Sequence, residues 1–136
     1  MKVARIDQAT NWFEVLQTSE CTQTAMMTLA PGDSSGEKAE AHETSDQVLL
    51  VLDGKLAGEV GDERSVFEKG DFIIIPAGVK HRFTNPGKAD ATTFNVYSPP
   101  AYPAHTKGDH GLIFSADCGA FSGRRTTCLP CVKFVA

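Results

Sequence analysis

The 136-residue sequence has no basic block; the adjacent pair Arg124 and Arg125 comes nearest to one, and the net charge is −4. Nucleic acids are held chiefly by clustered Lys and Arg on phosphates, so no nucleic-acid partner is expected. No apolar run approaches the roughly 20 residues that span a bilayer, so no membrane partner is expected either. The start, MKVARIDQATNWFEVL, is charged throughout and has no apolar signal core, which predicts a cytoplasmic protein. Helical periodicity is scarce, and the best window, Gln8 to Leu16, is short. There is no Ser/His/Asp arrangement and no phosphate-cradling glycine loop.

Cysteine is sparse and unevenly placed. Of four, Cys118, Cys128 and Cys131 fall in the last 19 residues and Cys21 stands alone. In a cytoplasmic protein, thiols are favoured over disulfides. Cys128-Leu-Pro-Cys131, with Cys118 and His110, offers a tetrahedral zinc set as a rival, although the spacing is irregular.

What is present is a soluble, globular composition: 41% hydrophobic and 22% charged. The length suits one domain with one core, able to bury about two thirds of its unfolded surface. Short apolar runs alternate with turn residues. TQTAMMTLAPGD ends in Pro31-Gly32, and DQVLLVLDGKLAGEVGDE holds two runs around Asp53-Gly54, a hairpin signal. SVFEKGDFIIIPAG turns at Lys69-Gly70 and again at Pro76 to Gly78, and ATTFNVYSPP stops at a double proline. Such spacing predicts an all-β sandwich or barrel. Beyond Pro100 the chain is rich in Gly, Pro, Thr and Cys, with Val132 and Phe134 alternating in a possible last edge strand. The expected division is a barrel over residues 1–100, including N-terminal strands, and an irregular extension over 101–136 packing on the barrel or on a partner copy.

Side chains two apart on a strand share a face. Glu40 and His42 then point one way, and Gln47, past a short bend, shares a face with Leu49 and Val51. A carboxylate, an imidazole and an amide converge there, and His81, opening another strand, supplies a second imidazole. These donors suit Fe(II), Mn, Ni, Co or Zn and leave room for water or a substrate. The alternative is a polar interior whose side chains bond one another and water. His105 and His110, in the Gly/Pro-rich segment, read as solvated or loop-packing residues, and Glu43, Asp46 and Asp53 as surface and turn residues. Leu49, Phe83, Phe94, Val96 and Tyr97 lie at strand positions where they serve as core or as pocket walls; Tyr97 and Tyr102 flank Pro99-Pro100 and could cap the mouth.

Gly70, Pro76, Gly78, His81 and Asn85 match every fixed position of the second motif of the cupins, so the chain resembles that superfamily, in its small, single-domain, conserved-barrel form. The first cupin motif matches in part. Glu40 takes the first histidine position, His42 the second, Gln47 the glutamate position, and Gly54 closes the spacing; Asp46 fits the glutamate position less well, and the opening glycine position falls at Ser34. The likeness covers about residues 24–100. It implies a double-stranded β-helix, or jelly roll, with a divalent metal held in the barrel mouth by Glu40, His42, Gln47 and His81. It implies a small-molecule substrate or ligand and an isomerase, lyase or dioxygenase reaction, or else a binding module without metal or turnover. The Pro-x-Gly turn is expected to reverse a buried strand so that His81 enters at metal depth, with Phe83 inward beside it. Sandwich edges must be covered or paired, so a homodimer is expected, with the N-terminal strand or the tail at the contact.

Overall fold

The computed structural model describes residues 1–108, and these form an all-β jelly roll. After a 3-10 turn at Ile6–Gln8 come the strands β1 (Phe13–Thr18), β2 (Gln23–Leu29), β3 (Asp46–Asp53), β4 (Lys55–Val60), β5 (Glu63–Glu68), β6 (Phe72–Ile75), β7 (His81–Thr84), β8 (Ala91–Ser98) and β9 (Lys107–Gly108). One sheet runs β6-β3-β8-β2-β1-β9 and the other β5-β4-β7, with antiparallel ladders throughout. Ser34 and Glu40 bridge to Thr84 and His81, so the loop before β3 runs along β7 as a broken further strand.

The interior is filled from both sheets by Phe13, Ala25, Met27, Leu29, Leu49, Val51, Leu56, Ile75 and Phe83. Full burial of one Leu or Phe side chain stabilises by about 1.5–3 kcal/mol, so this cluster supplies the main drive for closing the two sheets. Gly58 of β4 gives the rings room. A Cβ there would lie 2.6 Å from Phe67 Cε2 and 2.9 Å from Phe83 Cε1.

Helix is absent as expected among the described residues apart from one 3-10 turn, and three expectations are corrected. The helix-like window from Gln8 to Leu16 becomes a 3-10 turn and strand β1. Its apolar residues Phe13 and Val15 alternate inward, so tertiary pairing overrides a weak helical period. Asp53-Gly54 is not a hairpin turn, because β3 and β4 belong to different sheets. Gly54 sits at φ +78° with the Asp90–Ala91 backbone where a Cβ would go, so it marks a tight crossing between sheets. The two-residue hairpin is the next one, at Gly61-Asp62, where Val60 pairs Glu63. The strand before Pro76 is buried on one face only: Ile75 lies in the core, while β6 is a sheet edge with Phe72 69% and Ile74 66% exposed. Finally, Cys21 is disulfide-bonded rather than a thiol.

Past Pro100 the chain returns to the large sheet: Val15 N donates to Thr106 O (2.9 Å) and Lys107–Gly108 pairs with β1. His105 is exposed, in a left-handed conformation at φ 68°. His110, Cys118, Cys128, Cys131 and the possible strand at Val132–Phe134 lie outside the described residues. Among the described residues no helix is long and apolar enough to cross a membrane.

Candidate functional site

The turn between β6 and β7 builds the site. Gly78 adopts φ +81°, a conformation that glycine takes without a Cβ penalty. Its N–H donates to the carbonyl of His42 (2.8 Å), and Ala77 N donates to Asp46 Oδ1 (2.9 Å). Asp46 is therefore a turn brace. The turn thus ties the His42 loop to the start of β7, where His81 and Glu40 exchange backbone hydrogen bonds of 2.9 and 3.1 Å. The two imidazoles meet with ring centroids 5.2 Å apart.

His81 Nδ1 lies 3.0 Å from the Val79 carbonyl. A carbonyl only accepts, so Nδ1 carries the proton and Nε2 keeps its lone pair. Burial, and then the neighbouring His81, bring the His42 pKa down to about 4. Burial also lowers that of His81, offset in part by the Val79 carbonyl and by Glu40. Both rings are neutral near pH 7, the form that ligates a metal.

Gln47 is 4% exposed and enters from β3. Its register places it in one row across the inner face: Ile75 of β6, Gln47, Tyr97 of β8 and Gln23 of β2. Tyr97 lies edge-on to His42 at 5.1 Å between centroids. Gln47 Nε2 donates to Asn95 Oδ1 (3.0 Å), while Oε1 has no hydrogen-bond partner among the described residues. The side chain of Glu40 is exposed, and its charge still reaches His81 and Tyr102. Among the described residues, no three His, Cys, Asp or Glu side chains gather closely enough to hold a metal ion.

Tyr102 completes the wall, 5.4 Å from His42, 5.2 Å from Tyr97 and 4.8 Å from Phe13 between ring centroids. It is held by Gln23, a fully buried residue. Gln23 Oε1 accepts from Ala101 N (3.3 Å) and Tyr102 N (3.0 Å), and Nε2 donates to Tyr102 O (2.8 Å) and Thr18 Oγ1 (3.0 Å). The amide thus substitutes for a strand partner. Burial pushes the Tyr102 phenol up to about 12 and Tyr97 well above its usual range, so both keep their protons at neutral pH.

The structure thus brings His42, His81 and Tyr97 together, with Gln47 next to Tyr97 in the same cross-strand row, Phe83 inward 5.9 Å from His81 and Leu49 buried in the interior. Glu40 stands at the rim. Phe94 and Val96 are corrected: they alternate with the buried Thr93, Asn95 and Tyr97 and face out of the barrel. Gln23, Thr93 and Asn95 escaped the sequence reading. For Thr93 and Asn95 the available signal was the alternation of β8 itself, once Tyr97 is placed inward.

A family model described as "Cupin domain" matches residues 25–97. An uncharacterised Bacillus subtilis protein, YrkC, is 29% identical over 115 residues, covering 76% of this chain and 60% of its own length. The acireductone dioxygenase of Macaca mulatta is 35% identical over 72 residues, covering 48% of this chain and 40% of its own length. In both cases the match spans less than two thirds of the relative. The crystal structure of BH2720 from Bacillus halodurans superposes with a TM-score of 0.71 at 25% identity, covering 76% of this chain and 81% of that one.

Proposed function

On the premise that the chain belongs to the cupin family, we propose that its barrel mouth binds a divalent metal ion and acts on a small oxygenated molecule. The observation that carries this reading is a pair of neutral imidazoles beside a row holding a buried carboxamide oxygen with no partner. The donor set fits the group: His42 and His81 supply nitrogen and Gln47 Oε1 supplies a neutral oxygen, with the carboxylate of Glu40, whose charge reaches His81, at the rim. Such donors suit Fe(II), Mn, Ni, Co or Zn. A bound ion supplies Lewis-acid polarisation of an oxygen atom on the small molecule. The protein's own groups do the rest. Val79 holds the His81 tautomer, Tyr97 and Tyr102 offer neutral hydroxyls, and Phe13 and Phe83 exclude water. Likeness to acireductone dioxygenase supports an oxygen-using reaction ahead of an isomerase or lyase.

Elemental analysis of untagged protein, before and after loading with Fe(II) or Mn(II), tests the reading. Stoichiometric metal, lost in His42→Ala and His81→Ala and weakened in Glu40→Gln, supports it. A parent that never holds metal sinks it and leaves a second reading, a small-ligand module without turnover. That alternative is favoured by one observation, the absence of a three-residue His/Cys/Asp/Glu grouping among the described residues. The open edge of β6, with Phe72 and Ile74 outward, supports a homodimer, and light scattering at tens of micromolar tests it.

A further inference from the structure

Strand β8 carries Thr93 and Asn95 on its inward face, between apolar residues of both sheets. An unpaired polar group there costs roughly 1–3 kcal/mol, so these side chains must satisfy one another. They form a chain: Gln47 Nε2 donates to Asn95 Oδ1 (3.0 Å), Asn95 Nδ2 donates to Thr93 Oγ1 (3.0 Å), and Thr93 Oγ1 donates to the Met27 carbonyl (3.4 Å). The three side chains belong to residues 4%, 1% and 0% exposed.

The direction of this chain follows from giving the Thr93 hydroxyl proton to the Met27 carbonyl, across a long 3.4 Å contact at its deep end. The Met27 carbonyl can only accept, and Thr93 has a single hydroxyl proton to give. Thr93 Oγ1 then accepts from the Asn95 amide nitrogen. Asn95 turns its oxygen to Gln47 Nε2, and the Gln47 oxygen is left over as an acceptor. The opposite polarity would take the Thr93 proton away from Met27 and point the Gln47 amide nitrogen at the site instead. Gln47 shares its row with Tyr97, whose ring lies 5.1 Å from His42, so the leftover group lies on the inner face that also carries the histidine pair.

We infer that Asn95 and Thr93 are positioning residues: they orient the Gln47 carboxamide so that its oxygen serves the His42–His81 site, which at that point takes a cation or a hydrogen-bond donor and rejects an acceptor. This rests on the metal-binding reading above, and it assigns roles to two residues that touch no ligand. Partners of this kind are typically worth 10–100-fold in metal affinity.

The test uses the full chain and Mn(II) alone, with two independent readouts. By titration calorimetry, Asn95→Asp, which can still accept from Gln47 Nε2, keeps affinity within about threefold of the parent. Asn95→Leu loses tenfold or more, and Thr93→Val falls between them. A merely structural role predicts the reverse order for the first two, because Asn95→Asp buries a carboxyl and disturbs the fold most. Equal affinity in all four proteins, or Asn95→Asp binding worst, overturns the inference while leaving the metal reading intact. In the metal-free parent, NMR cross-relaxation from the Gln47 amide protons to Asn95 rather than to the His81 ring supports the assigned polarity. Contacts to His81 instead overturn it, whether or not the protein ever binds metal.

Discussion

On the ladder between β3 and β8, Gln47, Thr93, Asn95 and Tyr97 face the interior and are buried, whereas Val48, Leu50, Phe94 and Val96 face outward and stay partly exposed. The outward residues continue in register to the exposed Phe72 and Ile74 on β6, and on the other side to Met26 on β2, which is buried. Along β8 the usual distribution is thus reversed from Thr93 to Tyr97, whereas Leu49 and Val51 of β3 keep the usual inward burial of apolar side chains. On β8 hydropathy did not choose the inner face; the ladder register did, and the hydrogen-bond chain to Met27 satisfies Thr93, Asn95 and the Gln47 amide nitrogen, leaving the Gln47 oxygen without a partner among the described residues. A sheet face rich in apolar residues is therefore no guide to which side holds the core.

The sharpest way to break this comparison is to cut the same side chain on each face. Leu49→Ala, at a fully buried inward position, is expected to cost about 2–5 kcal/mol by urea unfolding. Leu50→Ala, its outward neighbour, should cost under about 1 kcal/mol. Equal losses would mean that the outer face is as closed as the inner one. Gly58→Ala should cost about 1–3 kcal/mol, because the Phe67 and Phe83 rings must move; a neutral result would show slack in the inner layer. The polar inner face should also leave a pH signature. The His42 pKa falls from 6.5 to about 4 on folding, so metal-free protein takes up a proton there as it unfolds. Stability from this group is intact above pH 6.5 and declines as pH falls through that window to about 4. His42→Gln should flatten the slope of unfolding free energy against pH over that range, and an unchanged slope would contradict a buried neutral ring. The smallest effect is expected at the rim of the outer face. Phe72→Ser and Ile74→Ser should change monomer stability by no more than about 0.5 kcal/mol, with any larger loss appearing only as a change in association by light scattering.

Much of the site was legible before the fold. The spacing from Gly70 to Asn85 encodes a turn that needs a positive φ at Gly78 and a histidine three residues on, a local requirement that one short segment states completely. Asn85 shows the same economy, bonding Leu29 O, Ala89 O and Gly87 N to close the loop after β7. Gln47 was legible through its spacing from His42. Phe94 and Val96 were misplaced because a strand with apolar residues at even positions and Thr, Asn and Tyr at odd ones fits either facing. Asp53-Gly54 was read as a hairpin because a turn dipeptide states that the chain bends and says nothing of whether the next strand pairs with the last.

Sequence alone determined the all-β class and the family-type turn, because each follows from periodicity or from contacts between residues near in the chain, and the motif resemblance singled out the two histidines. Tertiary structure decided which face of β8 is inside, that Gln23 would hold Tyr102 over His42, and that Gln47 would be left with one free oxygen. Those outcomes come from pairings such as Gln23 with Tyr97 and Gln47 with Asn95, between residues 74 and 48 positions apart. No local propensity encodes a hydrogen bond between groups that meet only after the sheets have closed.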